Sequence, residues 1–140
     1  DWKQASFGEG DTMRFACLLM AGCLGTMALQ VQAATGYSQE YTQCMNFSYG
    51  NTAKLQKCVK KELKAQNKRL KKNYKTYLKL NAGYRNNIGE QHTVWQRKLS
   101  QQCKLTMNTQ YAQIKQGQCA LEMVKDQANL YQSRSYRAGA

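Results

Sequence analysis

Between positions 55 and 77 the side chains Leu55, Val59, Leu63, Gln66, Leu70, Tyr74 and Tyr77 recur at three- and four-residue steps. At about 100° per residue they share one face of an α-helix, and the pattern predicts a helix over 53–80. Thr52 is placed to cap it, and Asn81, Ala82 and Gly83 supply a stop, Gly83 suiting a left-handed cap. A second period, Ile88, His92, Trp95, Leu99 and Cys103, predicts a helix over 84–107. The short turn between the two makes them antiparallel neighbours. Residues 108–118 are polar, are punctuated by Gly117 and read as a loop or broken helix. Leu121, Val124, Ala128 and Tyr131 then give the inward face of a last helix over 119–137. Residues 34–51 show no clear period beyond one short helical turn around 41–47. The expected fold is all-α: a long antiparallel helical hairpin plus a C-terminal helix.

Composition agrees. The 140 residues contain no proline, which would break a helix interior. Helix-favouring Lys, Gln, Leu, Ala and Met dominate.

The amino-terminal stretch has a different character. Residues 13–33 combine Arg14, a mostly apolar run from Phe15 to Val31 and the slim Val31-Gln32-Ala33 end. That is the pattern of a signal peptide cleaved after Ala33, preceded at 1–12 by an upstream extension or cloning remnant and followed at 34–140 by the helical domain. Met20-Ala21-Gly22-Cys23 also resembles a lipobox, which makes lipidation at Cys23 the alternative, but the residues after it stay apolar. The expected location is periplasmic or secreted, with no transmembrane span in the mature form.

After cleavage Cys44, Cys58, Cys103 and Cys119 remain. An even number in an exported domain reads as two disulfides. Three connectivities are open; Cys44–Cys58 and Cys103–Cys119 are the local pairs, each closing a loop of similar length. A zinc site is disfavoured because no pair has the C-x2-C spacing and His92 is isolated.

The formal net charge is +13, which favours acidic partners. Much of it sits on the first long helix. Lys54, Lys57, Lys61, Lys64, Lys68, Lys71, Lys72, Lys75 and Lys79 fall opposite the apolar face within an arc of about 100°. Solvated faces usually alternate in sign, whereas lysines three and four apart repel by a few tenths of a kcal/mol each. Lys57, Lys61, Lys64, Lys68, Lys72 and Lys75 are the anion-binding candidates. Nucleic acid matches the charge but not the compartment; lipid headgroups and lipopolysaccharide match both.

The cysteine run, with LKKNY on the first long helix and EQHTVWQRKLSQQC on the second, resembles the lysozyme inhibitor LprI-like family of exported bacterial domains. The matching residues are Cys44, Cys58, Leu70, Tyr74, Trp95, Cys103 and Cys119, spread over most of 41–131. The resemblance implies an exported four-cysteine helical domain that binds a protein partner, a lysozyme in the family's case. Positions that carry charge in the family hold Asn67, Leu99, Ser100 and Gln127 here. Common lysozymes are basic, so an inhibitor this basic would have to meet one through a neutral face.

No catalytic constellation is visible and no cofactor is implied. Glu40, Glu62, Glu90, Glu122 and Asp126 are dispersed, and there is no glycine-rich phosphate loop. The expectation is a non-enzymatic binding protein. Tyr74, His92 and Trp95 are core or contact candidates, and Tyr37, Tyr41 and Tyr49 are further candidates for a contact surface.

Overall fold

The computed structural model describes residues 36–104 and 108–140. The expected upstream extension, signal peptide and Cys23 lie outside them. Four α-helices follow in order: α1 (Gln39–Asn46), α2 (Thr52–Leu80), α3 (Arg85–Gln102) and α4 (Gln110–Gly139), with one 3-10 turn, Ala82–Tyr84, between α2 and α3. None of the described helices is long and apolar enough to cross a membrane.

Each boundary has a local cause. Ser38 caps α1, its Oγ accepting the Tyr41 N–H at 3.1 Å. The chain then turns through Tyr49 (φ 48°) and Gly50 (φ 74°), both left-handed, a conformation that glycine adopts freely and tyrosine rarely. Asn51, not Thr52, caps α2: its Oδ1 accepts the Lys54 N–H at 3.0 Å, leaving the Thr52 hydroxyl to donate to Gln110 Oε1 at 2.9 Å. The stop of α2 also departs from expectation. Gly83 is not left-handed; Asn81 ends the helix and its side chain donates to the Tyr77 carbonyl.

The largest departure is α4. It starts at Gln110, nine residues before the expected start, capped by the Thr109 hydroxyl, which accepts the Ala112 N–H at 3.1 Å. Gly117 is therefore not a loop residue but an interior helical one. A Cβ built there would lie 2.8 Å from Val59 Cγ1, so this glycine lets the two backbones approach.

Successive long helices run antiparallel. His92 Nδ1 lies 2.9 Å from the Tyr131 hydroxyl while Cys103 is bonded to Cys119, which orders α3 against α4. Tyr74 stacks on His92 at 4.2 Å, which orders α2 against α3. As a result α2 and α4 run in the same direction. Thr52 meets Gln110, Gln56 meets Gln113, Arg69 meets Asn129 and Asn73 meets Ala128. This pair forms the most extensive contact, because α4 offers small residues, Gly117, Ala120 and Ala128, where α2 crosses it. The expected α2–α3 hairpin is present, but α3 stands off on bulky aromatic side chains.

Leu70, Val124, Ala128 and Tyr131 form the buried core, with Leu63, Tyr74, Tyr77, Trp95 and Leu99 packed around it. The inward face of α4 is as the period predicts: Leu121, Val124, Ala128 and Tyr131 are all buried. The disulfides are the two local ones, Cys44–Cys58 tying α1 to α2 and Cys103–Cys119 tying α3 to α4. Two such bonds point to an oxidising compartment outside the cytoplasm.

Candidate anion-binding face

The core pattern of α2 leaves its lysines no choice of side. With Val59, Gln66 and Leu70 buried against the bundle, Lys54, Lys57, Lys61, Lys64, Lys68, Lys71, Lys72, Lys75 and Lys79 all lie exposed. No described helix covers them. Among the described residues the one ion pair is Lys125–Asp126, at 3.3 Å on α4. The lysines of α2 thus have no carboxylate partner among the described residues.

The face is not flat. Ala65, Lys68, Arg69, Lys71, Lys72 and Lys75 line an open groove of about 580 Å³, where the small Ala65 side chain leaves a hollow beyond the end of α1. Arg69 forms its inner wall. Its Nη2 donates to the Lys125 carbonyl at 3.2 Å and to Asn129 Oδ1, which holds the guanidinium rigidly against α4. Its Nε and Nη1 are buried without a hydrogen-bond partner. Burial pulls the Arg69 pKa down, while the Glu62 carboxylate pushes it back up. The guanidinium, buried and turned to α4, backs the groove, and the exposed ammonium groups of Lys68, Lys71, Lys72 and Lys75 are what a phosphate there could reach. The lysine period did not reveal Arg69, because it lies toward the core side of the stripe; its sequence signal is that it is the one arginine of α2.

Glu62 is the one acidic residue of α2 and is buried, 3 % exposed. The Ser38 amide and hydroxyl both donate to it, as does Gln66 Nε2 at 2.8 Å. It therefore serves α1 and does not neutralise the lysine face.

The structure brings Tyr74, His92 and Trp95 together, away from the lysines. His92 stacks between Tyr74 and Trp95, at 4.2 and 5.4 Å, and all three are half-buried. Burial lowers the pKa of His92 and raises that of Tyr131. With both groups neutral, His92 Nδ1 and the Tyr131 hydroxyl share one hydrogen bond. This is core chemistry, and it leaves little of these rings for a partner. Among the described residues no cluster of His, Cys, Asp or Glu has the makings of a metal site. Tyr37 precedes the Ser38 cap of α1, with Lys125 Nζ of α4 4.6 Å from its ring centroid.

Comparison with protein families, with curated proteins and with solved structures finds no match to the chain.

Proposed function

We propose that this is an exported, non-enzymatic binding protein whose lysine face on α2 engages lipid-borne phosphate, as in anionic phospholipid headgroups and lipopolysaccharide. The observation that carries the reading is the exposed run of lysines with no ion pair among the described residues, uninterrupted by any exposed carboxylate on α2. Within the domain that arrangement is purely repulsive, by a few tenths of a kcal/mol for each pair at helical spacing. Against an anionic membrane each lysine near the surface gains about 1 kcal/mol. The groove over Ala65 would seat one phosphate among Lys68, Lys71, Lys72 and Lys75.

The test is the fourfold variant Lys61→Gln, Lys64→Gln, Lys68→Gln, Lys72→Gln. Glutamine is nearly as good a helix former as lysine, so the circular dichroism should be unchanged. Binding to vesicles containing phosphatidylglycerol, and separately to lipopolysaccharide, should fall steeply, most of all at low salt. Binding as tight as the parent's across the salt range would reduce the stripe to a solvated face.

The lysozyme-inhibitor reading draws on Leu70, Tyr74, Trp95 and the four cysteines, residues that here build the core and the two disulfides. They support a scaffold more than a contact surface. Lysozyme inhibition by the parent that persists in the fourfold variant and survives moderate salt would favour that reading instead.

A further inference from the structure

Because α2 and α4 run in the same direction, with Thr52 bonded to Gln110, their amino termini share one end of the bundle. The turn between α1 and α2 lies at that end, since α1 runs back along α2 from Ser38 beside Glu62 to Cys44 beside Cys58. Three large aromatic side chains point into solvent there: Phe47, Tyr49 and Tyr111, exposed by 66, 83 and 63 %. Phe47 and Tyr49 come from the α1–α2 turn and Tyr111 from the first turn of α4, so the fold brings them to the same end. The segments forming this end, 43–58, 96–104 and 108–118, contain no Asp or Glu, while Lys54, Lys57, Lys104 and Lys115 stand exposed among the aromatics.

The end is also built to be stiff. Both disulfides lie in it, within about three turns of the amino termini of α2 and α4. Ser48, buried, donates its hydroxyl to the Met45 carbonyl at 2.7 Å, and its own carbonyl accepts the Asn51 N–H at 2.9 Å. Tyr49 is held between them at φ 48°, with its ring edge-on to Phe47 at 6.4 Å. A left-handed tyrosine that buries nothing gains the domain no packing in return.

We infer that this pole is a membrane-insertion tip: Phe47, Tyr49 and Tyr111 enter the headgroup layer of an anionic bilayer while the surrounding lysines meet its phosphates. Aromatic rings with a polar edge favour that layer, and a carboxylate-free basic rim matches its charge. The inference rests on the lipid-binding reading and adds an orientation to it: the lysine face supplies attraction at a distance, and the tip supplies contact that salt does not screen. The opposite pole also exposes Tyr84 and Tyr136, but neither disulfide reaches it, so it serves as the internal control.

The experiment uses the oxidised full chain and vesicles of phosphatidylcholine with about one-third phosphatidylglycerol. Each variant is compared with the parent carrying the same apolar stretch at 15–31. Tyr49→Trp should add emission that brominated lipid quenches, whereas the emission added by Tyr136→Trp should not be quenched. The triple variant Phe47→Ser, Tyr49→Asn, Tyr111→Ser should retain low-salt attraction and lose at least about tenfold of the binding that remains at about 0.5 M salt. Equal quenching at both poles, or a triple variant that binds like the parent at high salt, overturns the tip and leaves the aromatic pole as a contact for a protein. Failure of the lysine reading looks different: the fourfold lysine variant then keeps its low-salt binding, whatever the pole variants do.

Discussion

Ser38 is joined twice to Glu62, its amide donating to Oε1 at 2.9 Å and its hydroxyl to Oε2 at 2.6 Å. The same hydroxyl oxygen accepts the Tyr41 N–H, so one carboxylate on α2 sets the first turn of α1. Burial pushes the Glu62 carboxyl up, but the bonds from Ser38 and Gln66 and the charge of Arg69 outweigh it and hold its pKa below the ordinary 4.5. The folded state therefore binds this proton less readily than the unfolded chain does. The stabilisation is complete above about pH 4.5 and is lost as pH falls through the lower folded value. Glu62→Gln should cost about 2 kcal/mol at neutral pH. In urea titrations at a series of pH values, the variant should lose part of the acid-dependent slope seen in the parent.

His92 gives a second pH dependence in a different window. Burial holds its pKa below the ordinary 6.5, so the unfolded chain takes up this proton first as pH falls. Stability should be full above about pH 6.5 and decline below it, toward the folded value. His92→Gln should flatten the urea midpoint between about pH 7.5 and 5.5, and an unchanged slope there would assign the titration elsewhere.

Gly117→Ala sets helix propensity against packing. Alanine is favoured over glycine inside a helix by about 1 kcal/mol, yet its Cβ would sit 2.8 Å from the branched side chain of Val59. Val59 is buried and stiff, so the clash should win, with a net loss of about 1–3 kcal/mol. Gly83→Ala, where a Cβ meets nothing within 4 Å, should be neutral or stabilising by up to about 1 kcal/mol. Thermal unfolding of the two variants side by side checks both signs.

Trp95 packs on the Leu70–Tyr131 core but keeps part of its ring in solvent. Trp95→Ala should therefore cost about 3 kcal/mol, the lower end of the range for a large aromatic. A loss below about 1 kcal/mol would mark it as a surface residue free to contact a partner.

Which parts of this were legible in the sequence follows from what a hydrophobic period can register. Leu121, Val124, Ala128 and Tyr131 announced the inner face of α4, and the lysines of α2 announced their own exposure, since both are matters of side. The first turns of α4 were hidden because that stretch packs through Ala112, Ile114 and Gly117, and a glycine interface carries no hydrophobic signal; the Thr109 cap was the available clue. The same small residues explain why the closest partner of α2 is α4 and not its chain neighbour α3. Glu62 was hidden for another reason. Its burial depends on donors from Ser38, twenty-four positions away, and no pattern within α2 encodes them. The groove at Arg69 and the aromatic pole both depend on the register between α2 and α4, which exists only once the helices have met.

That register also bears on how the chain finds its fold. The Thr52–Gln110 contact closes over fifty-eight positions of chain, and the most extensive interface of the domain shares this long span. Ordering so large a loop is entropically costly before any contact rewards it. The α2–α3 hairpin closes over far fewer residues, at Tyr74 and His92, and presents the aromatic surface on which α4 can then land. Docking of α4 should thus be the late event in refolding. The amides of α2 and α3 should become protected from exchange before those of α4, and Gly117→Ala should speed unfolding more than it slows folding. The helix nearest to α2 in space would then be the last to reach it in time.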